Sequence, residues 1–151
     1  MGERYLKSIR LLAECMQGFE RLSGEHVRES GLTHAQFDII ATLGNTPGMS
    51  YKDLGDRTLI TKGTLTGVIE RLEQKGLVER ERNADDKRSY FVRLTPQGER
   101  LFADVFPKVV ARCGTQFSHF SEADFEALEH TLAGLKAAIN AGPPFKERQE
   151  C

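Results

Sequence analysis

The chain has 151 residues, of which 39% are hydrophobic and 28% are charged, and its net charge is −1. This composition suits one globular domain, or a small domain with a dimerising extension, and it excludes a disordered chain. Because no apolar run approaches the length of a membrane span and no secretory signal or myristoylation pattern is found, we expect a cytoplasmic protein without a membrane partner.

The first predicted element is a long helix over residues 4–28. Its apolar side chains recur at alternating spacings of four and three, and further apolar residues widen the stripe. This stripe is broader than a lone exposed helix would carry. The residues concerned are Tyr5, Leu6, Ile9, Leu11, Leu12, Cys15, Met16, Phe19 and Leu22.

Two capping patterns predict the next two helices. The run from Thr33 to Gln36 begins a helix that carries Phe37, Ile39, Ile40 and Leu43, and a turn follows at residues 44–48. The run from Ser50 to Asp53 begins a short helix through Arg57. We interpret His34, inside the first capping pattern, as a polar surface residue.

The central predicted helix begins after Thr61, an N-cap residue, and stops at Gly76. One face is apolar, with Leu65, Val68, Ile69 and Leu72 at helical spacing. The opposite face carries two glycines, which weaken a helix by roughly 1 kcal/mol each. Close approach of the helix backbone to another surface would compensate, and hydroxyls with cations suit a DNA groove. For this helix alone, an ordinary surface helix remains the alternative. The residues of the face are Lys62, Gly63, Thr64, Thr66, Gly67 and Arg71.

A two-stranded hairpin is predicted directly after this helix. Residues 77–82 alternate as an exposed strand does, residues 83–87 form a polar turn, and residues 89–94 are rich in β-formers. Thr95 and Pro96 begin the next helix. The order of elements predicts a mainly α fold with a small β-hairpin wing, a winged helix-turn-helix.

The last two predicted helices again carry long apolar stripes, from Leu101 to Phe117 and from Phe125 to Ile139. We therefore divide the chain into a helical dimerisation region, a winged domain and a flexible tail. Because the first helix and the last two expose more apolar surface than one protomer can cover, we expect a homodimer. The boundaries are 1–30 with 96–142 for dimerisation, 31–95 for the winged helix-turn-helix and 143–151 for the tail.

The charge is distributed unevenly along the chain. Residues 51–94 hold ten Lys or Arg against eight Asp or Glu, whereas the remainder holds eleven against fourteen. The winged segment is therefore +2 and the flanks are −3, which is the sign that nucleic-acid binding requires.

Several runs resemble the MarR family of bacterial transcriptional regulators. These are Gly63-Thr64-Leu65-Thr66, residues 71–78, the wing motif Asp85-Asp86-Lys87-Arg88, and Val92-Arg93-Leu94-Thr95-Pro96-Gln97-Gly98. The resemblance also covers chain length and helix order. It implies a dimer formed by the first, fifth and sixth helices, and a DNA-binding repressor. It also implies that Arg88 reaches the minor groove and that Asp86 orients it.

The expected DNA-contacting residues combine the central helix, the short helix before it and the wing. Their partner would be a pseudo-palindromic operator in double-stranded DNA. The set is Ser50, Lys52, Thr61, Lys62, Gly63, Thr64, Thr66, Gly67, Arg71, Arg80, Arg82, Asp86, Lys87 and Arg88.

A ligand pocket is expected where the first, second and fifth helices meet. Its lining would be apolar and aromatic, as for flat organic ligands, and the resemblance implies a phenolic or other aromatic anion as the inducer. The expected lining is Leu12, Cys15, Phe19, Phe37, Ile40, Phe102, Phe106, Val109 and Cys113.

Other functions are carried as alternatives. Oxidation of Cys15 is a competing signal, because one branch of the family senses hydroperoxides through a cysteine of the first helix, although nearer its start. A wing that holds a protein partner is a second alternative. The three cysteines and four histidines have no metal-ligand spacing, and no nucleophile–base pair is evident, so we predict no cofactor and no enzyme.

Overall fold

A computed structural model describes residues 3–85 and 89–142. The predicted winged helix-turn-helix is confirmed, while Asp86, Lys87, Arg88 and the predicted tail 143–151 lie outside the described residues. The elements in chain order are α1 (Arg4–Glu29), α2 (His34–Leu43), β1 (Met49–Ser50), α3 (Tyr51–Thr58), α4 (Lys62–Gln74), β2 (Val78–Arg82), β3 (Tyr90–Leu94), α5 (Pro96–Thr115) and α6 (Glu122–Asn140).

Helices α2, α3 and α4 begin directly after the predicted N-cap residues, and two of these three residues cap their helix with the side chain. The Thr33 side chain accepts a hydrogen bond from the Gln36 amide and the Gln36 side chain accepts one from the Thr33 amide, a complete capping box. Ser50 accepts from the Asp53 amide at 3.1 Å. Thr61 occupies the N-cap position of α4 without capping it, because its hydroxyl donates to Thr64 Oγ1 at 3.3 Å instead.

The wing is part of a three-stranded antiparallel sheet in the order β1-β3-β2. The hairpin register pairs Val78 with Leu94 and Arg82 with Tyr90. The third strand was not predicted. Met49 and Ser50 pair with Val92 and Phe91, and a two-residue strand is too short to show an alternating pattern in the sequence.

One hydrophobic core unites the winged elements with parts of α1 and α5. Its most buried side chains include Ile39, Leu54 and Ile69. Val27 of α1 and Val105 of α5 belong to the same core cluster. The compact unit that contains this core reaches Thr115, so α1 and α5 share the core of the winged domain, across the predicted boundaries at residues 30 and 96.

The start of α5 is fixed to the end of α4 by the Thr95–Gly98 motif. Thr95 Oγ1 donates to the Gly76 carbonyl at 2.6 Å and accepts from the Gly98 amide at 3.1 Å. A Cβ atom at position 98 would collide with the carbonyl oxygen of Leu77, so only glycine fits this approach. Gly76 has φ +73°, the left-handed stop that the sequence predicts.

The second compact unit begins at Gln116 and contains α6. Ser121 and Asp124 form a capping box, and the rings of Phe117, Phe120 and Phe125 lie 5.3–6.4 Å apart. None of the α6 residues, all of which are described, is buried. Throughout the described ranges, no helix combines the length and apolar character needed to cross a membrane.

Candidate DNA interface and ligand cavity

Helix α4 has one buried and one exposed face, as its sequence predicts. Leu65, Val68, Ile69 and Leu72 are buried and hold the helix against the winged core. The exposed face contains the hydroxyls and cations of the predicted DNA-contacting set. Its exposed members are Thr61, Lys62, Gly63, Thr64, Thr66 and Arg71.

The two glycines of this face border open space. A Cβ atom built at Gly63 or at Gly67 would meet nothing within 4 Å, the helix's own nearby backbone apart. Packing within the chain therefore does not require glycine at either position. What the glycines supply is a smooth strip of helix backbone that another surface can approach closely.

Helix α3 contributes the cation Lys52 beside this face. Ser50 is used as its N-cap, and Lys52 is exposed. Lys52 and Lys62 line a hollow of about 300 Å³. Tyr51 of α3, Thr66 of α4 and Ser89, which precedes β3, also line it. Two lysines around one hollow suit a phosphate of a nucleic-acid backbone.

Arg80 does not present a free charge, in contrast to its predicted phosphate contact. Its guanidinium donates to both carboxylate oxygens of Glu73 at 3.0 and 3.2 Å and to the Tyr51 hydroxyl at 3.2 Å. It also lies 4.9 Å from the centre of the Tyr90 ring, and only 19% of the side chain is exposed. Arg80 therefore joins α4 and α3 to the sheet.

The electrostatics of this cluster agree with that structural role. Hydrogen bonding to Arg80 lowers the pKa of Glu73, and hydrogen bonding to Glu73 raises the pKa of Arg80. Both groups are therefore held in their charged forms. The sequence does not indicate this cluster, because Tyr51, Glu73 and Arg80 lie on three separate elements, α3, α4 and β2.

The other arginines of the sheet differ in how much of their charge remains available. Arg82 is exposed and donates to the Tyr90 hydroxyl at 3.1 Å, so it retains donors for a phosphate. Arg93 is paired across the sheet with Glu79 at 2.6 Å and Glu81 at 3.7 Å. Arg82 thus stays in the candidate set, while Arg80 leaves it.

A cavity of about 410 Å³ lies among α1, α2 and α5. Five of the nine predicted ligand-binding residues line it, and the rest of its lining comes from residues outside the predicted set. The predicted members are Phe19, Phe37, Phe106, Val109 and Cys113, and the additional ones are Met16, Glu20, Ser23, His34, Asp38 and Val110.

The other four predicted residues lie outside the cavity lining. Ile40 is 2% exposed and belongs to the winged core. Phe102 stacks on Phe106 with ring centres 4.9 Å apart and packs against that core. Leu12 is partly buried and Cys15 is exposed, both nearer the start of α1. The helical stripe predicts a shared face, but it does not predict where along that face the helices diverge.

Polar side chains occupy one part of the cavity lining. His34 Nε2 lies 2.9 Å from the Glu20 carbonyl oxygen, which can only accept, so this nitrogen donates. Burial raises the pKa of Asp38, and nearby Glu20 acts in the same direction while His34 opposes it. Ser23 is buried and donates to the Phe19 carbonyl at 3.0 Å. No sequence pattern indicates this arrangement, since these residues lie at the edges of apolar stripes.

Comparison with known proteins agrees with this fold. A family model described as "MarR family" matches residues 32–90, which run from the start of the winged domain into β3. The winged domain of this chain therefore matches the MarR family.

Relatives of this chain include regulators and a ligand-responsive protein. It is 29% identical to the HTH-type transcriptional regulator MhqR of Bacillus subtilis, over 91% of this chain and 96% of the relative. It is also 29% identical to the homoprotocatechuate degradative operon repressor of Escherichia coli, over 76% and 78%. The solved structure of Bordetella bronchiseptica BpsR, whose DNA binding is regulated by 6-hydroxynicotinic acid, superposes with a TM-score of 0.75 at 27% identity, covering 86% and 98%.

These findings identify the chain as a transcriptional regulator with a winged-helix fold, and not as an enzyme. The predicted family and fold class are thereby confirmed. The individual DNA contacts, the dimer and the ligand remain predictions.

Proposed function

We propose that the protein is a homodimeric repressor that binds a pseudo-palindromic operator, and that a small aromatic ligand relieves this binding. The observation that carries the proposal is the exposed face of α4, where Gly63 and Gly67 border open space between hydroxyls and cations. A helix presenting such a face can enter the major groove with its backbone close to the base edges.

Exposed apolar side chains on α1 and α6 support the homodimer. On α1, Tyr5 and Leu6 are at least half exposed, and on α6, Ile139 is 61% exposed. Large apolar side chains left exposed at several positions suit an interface, and a two-fold dimer buries the same patch on both protomers. Two α4 helices related by that axis would read half-sites about 10 bp apart.

The operator proposal is tested by selecting bound duplexes from a random pool at two salt concentrations. The expected product is a pseudo-palindrome whose binding weakens as salt rises, because phosphate contacts release counterions. Selection of no preferred sequence would contradict the proposal and favour the alternative, a winged module that holds a protein partner.

The wing proposal concerns residues outside the described part of the chain. Arg88 would enter the minor groove, Asp86 would orient it and Lys87 would contact a phosphate. Arg88→Ala should then cost about 1–3 kcal/mol on the operator alone, and Lys87→Ala should mainly reduce the salt slope by about one. Equal losses on operator and random DNA would reduce Arg88 to a phosphate contact.

The cavity among α1, α2 and α5 is the proposed ligand site. Its volume of about 410 Å³ and its Phe19, Phe37 and Phe106 rings suit a flat organic molecule. A ligand there would alter the distance between recognition helices only through its different affinities for the two arrangements. Regulation of BpsR by 6-hydroxynicotinic acid is consistent with such a device.

The thiol alternative makes the opposite forecast for Cys15. Under the ligand proposal, Cys15→Ser still releases DNA when an aromatic ligand is added, and the parent ignores mild peroxide. Under the thiol alternative, peroxide releases the parent, and Cys15→Ser stays bound. Cys15 is exposed and does not line the cavity, so its replacement should leave ligand binding intact. Peroxide-driven release that disappears in Cys15→Ser would overturn the ligand proposal.

A further inference from the structure

The charges around the cavity bear on which aromatic ligand it accepts. Its polar lining consists of two carboxylates, Glu20 and Asp38, one imidazole, His34, and one hydroxyl, Ser23. Among the described residues that form this lining, none is a lysine or an arginine. An aromatic acid would therefore bring its carboxylate beside two acidic side chains without the bidentate partner that carboxylates usually find in arginine.

The imidazole and the hydroxyl do not reverse this balance. His34 donates through Nε2 to the Glu20 carbonyl at 2.9 Å, so in its neutral form the remaining ring nitrogen is an acceptor. The Ser23 hydroxyl donates its proton to the Phe19 carbonyl. Acceptors therefore predominate among the polar groups that remain for a ligand, and acceptors select a molecule that donates.

Asp38 shows the electrostatic cost that a cationic ligand would relieve. Within the described residues its carboxylate has no salt bridge, and burial raises its pKa. A positive charge placed nearby would stabilise the ionised carboxylate and lower that pKa again. The aromatic lining adds to this attraction, because ring faces attract an ammonium group within about 6 Å.

We propose that the ligand of this cavity is a small aromatic amine that binds as a cation, with its ring among the phenylalanines and its ammonium group toward Glu20 and Asp38. This inference rests on the proposed function of the cavity as the ligand site. It departs from the aromatic acid that regulates BpsR, because the described residues of this lining include no lysine or arginine to pair with a carboxylate.

The test compares three probes that share a 4-hydroxyphenyl ring and differ in the charge of a short substituent. Tyramine is cationic, 4-ethylphenol is neutral and 4-hydroxyphenylacetate is anionic. Calorimetric titration of the full-length protein should give tyramine at least tenfold tighter binding than 4-hydroxyphenylacetate, with 4-ethylphenol between them. Such differences match one or two unit charges at short range in a partly solvated site.

Variants identify the charges responsible. Asp38→Asn and Glu20→Gln should each weaken tyramine binding about five- to tenfold and leave 4-ethylphenol within twofold. Asp104→Asn is the matched control, since Asp104 is an exposed α5 carboxylate that pairs with Lys108 and lies outside the cavity. This control should bind all three probes as the parent does.

Release of the selected operator duplex by the same probes tests two proposals separately. The first is that a ligand in the cavity relieves operator binding, and the second is that the cavity prefers a cationic ligand. Release by tyramine at lower concentration than by 4-hydroxyphenylacetate supports both. If 4-hydroxyphenylacetate binds as tightly as tyramine or tighter and releases the operator, the charge inference is overturned while the ligand-relieved repressor stands. If no probe binds, or if Asp38→Asn and Glu20→Gln leave the tyramine preference unchanged, the charge inference is likewise overturned.

Discussion

The winged part of the chain and the terminal helices α1 and α6 differ in how far they bury their apolar side chains. Between α2 and β3, residues such as Ile39, Leu54, Ile69 and Val92 are at most 2% exposed and complete a core within one protomer. By contrast, α6 buries none of its residues, and Leu6 and Ile139 remain at least half exposed. The winged part therefore completes its own core, whereas α1 and α6 leave large apolar side chains exposed, which the proposed dimer would bury.

Removing α6 is expected to have the largest effect on this contrast. Deletion of residues 121–151 should remove a helix that the proposed dimer requires and give soluble aggregate or unfolded chain. Light scattering after size-exclusion chromatography measures the outcome. The matched control deletes only 143–151, the predicted tail, and should remain a dimer. A monodisperse, DNA-binding monomer from the longer deletion would contradict the proposal that the fold depends on a dimer formed through α6.

A substitution on the exposed face of α4 should weaken DNA binding without destabilising the fold. Gly63→Leu is expected to raise the free energy of unfolding by about 0.5–1 kcal/mol, because leucine favours helix and the site borders open space. It should nevertheless reduce operator affinity more than tenfold by blocking close approach. Gly63→Ala should give the same stabilisation with a smaller loss. Undiminished operator binding by the leucine variant would mean that another face of α4 meets the DNA.

Arg80 and Arg82 of β2 are expected to differ in function, with Arg80 stabilising the winged domain and Arg82 contributing charge for DNA binding. Arg80→Ala should lower the free energy of unfolding by about 1 kcal/mol, since it removes hydrogen bonds to Glu73 and Tyr51 at a partly exposed site. Its salt slope on DNA should match the parent. Arg82→Ala should leave stability unchanged and reduce the salt slope by about one. The reverse pattern would return Arg80 to the phosphate contacts.

The smallest predicted effect is a pH dependence within the same cluster. Because Arg80 lowers the pKa of Glu73 in the folded chain, this pair stabilises the fold above the unfolded pKa of about 4.3. That contribution is lost as the pH falls through the lower, folded pKa. Glu73→Gln should therefore cost less than about 1 kcal/mol near neutral pH, because the carboxylate is partly exposed. In acid-unfolding measurements the difference should vanish once the pH lies below the folded pKa of Glu73. A difference that persists in acid would exclude the ion pair as its source.

Much of the fold followed from the sequence because its signals are local. The capping pairs Thr33 with Gln36 and Ser121 with Asp124, the left-handed Gly76 and the apolar face of α4 all involve residues within one or two helical turns. Their hydrogen bonds and spacings can be recognised in the sequence without knowing which other helix or strand packs against them. The amphipathic α4, with its glycine-bearing face, was predictable for the same reason.

Only the tertiary structure decided which distant residues meet. It paired Met49 with Val92 in a third strand, placed Arg80 between Glu73 and Tyr51, and brought His34, Asp38 and Glu20 to one cavity. The sequence determined the helices and the faces they present, because those depend on neighbouring residues. It could not determine the charge of the cavity or the structural use of Arg80, because both depend on how separate elements approach one another in the packed chain.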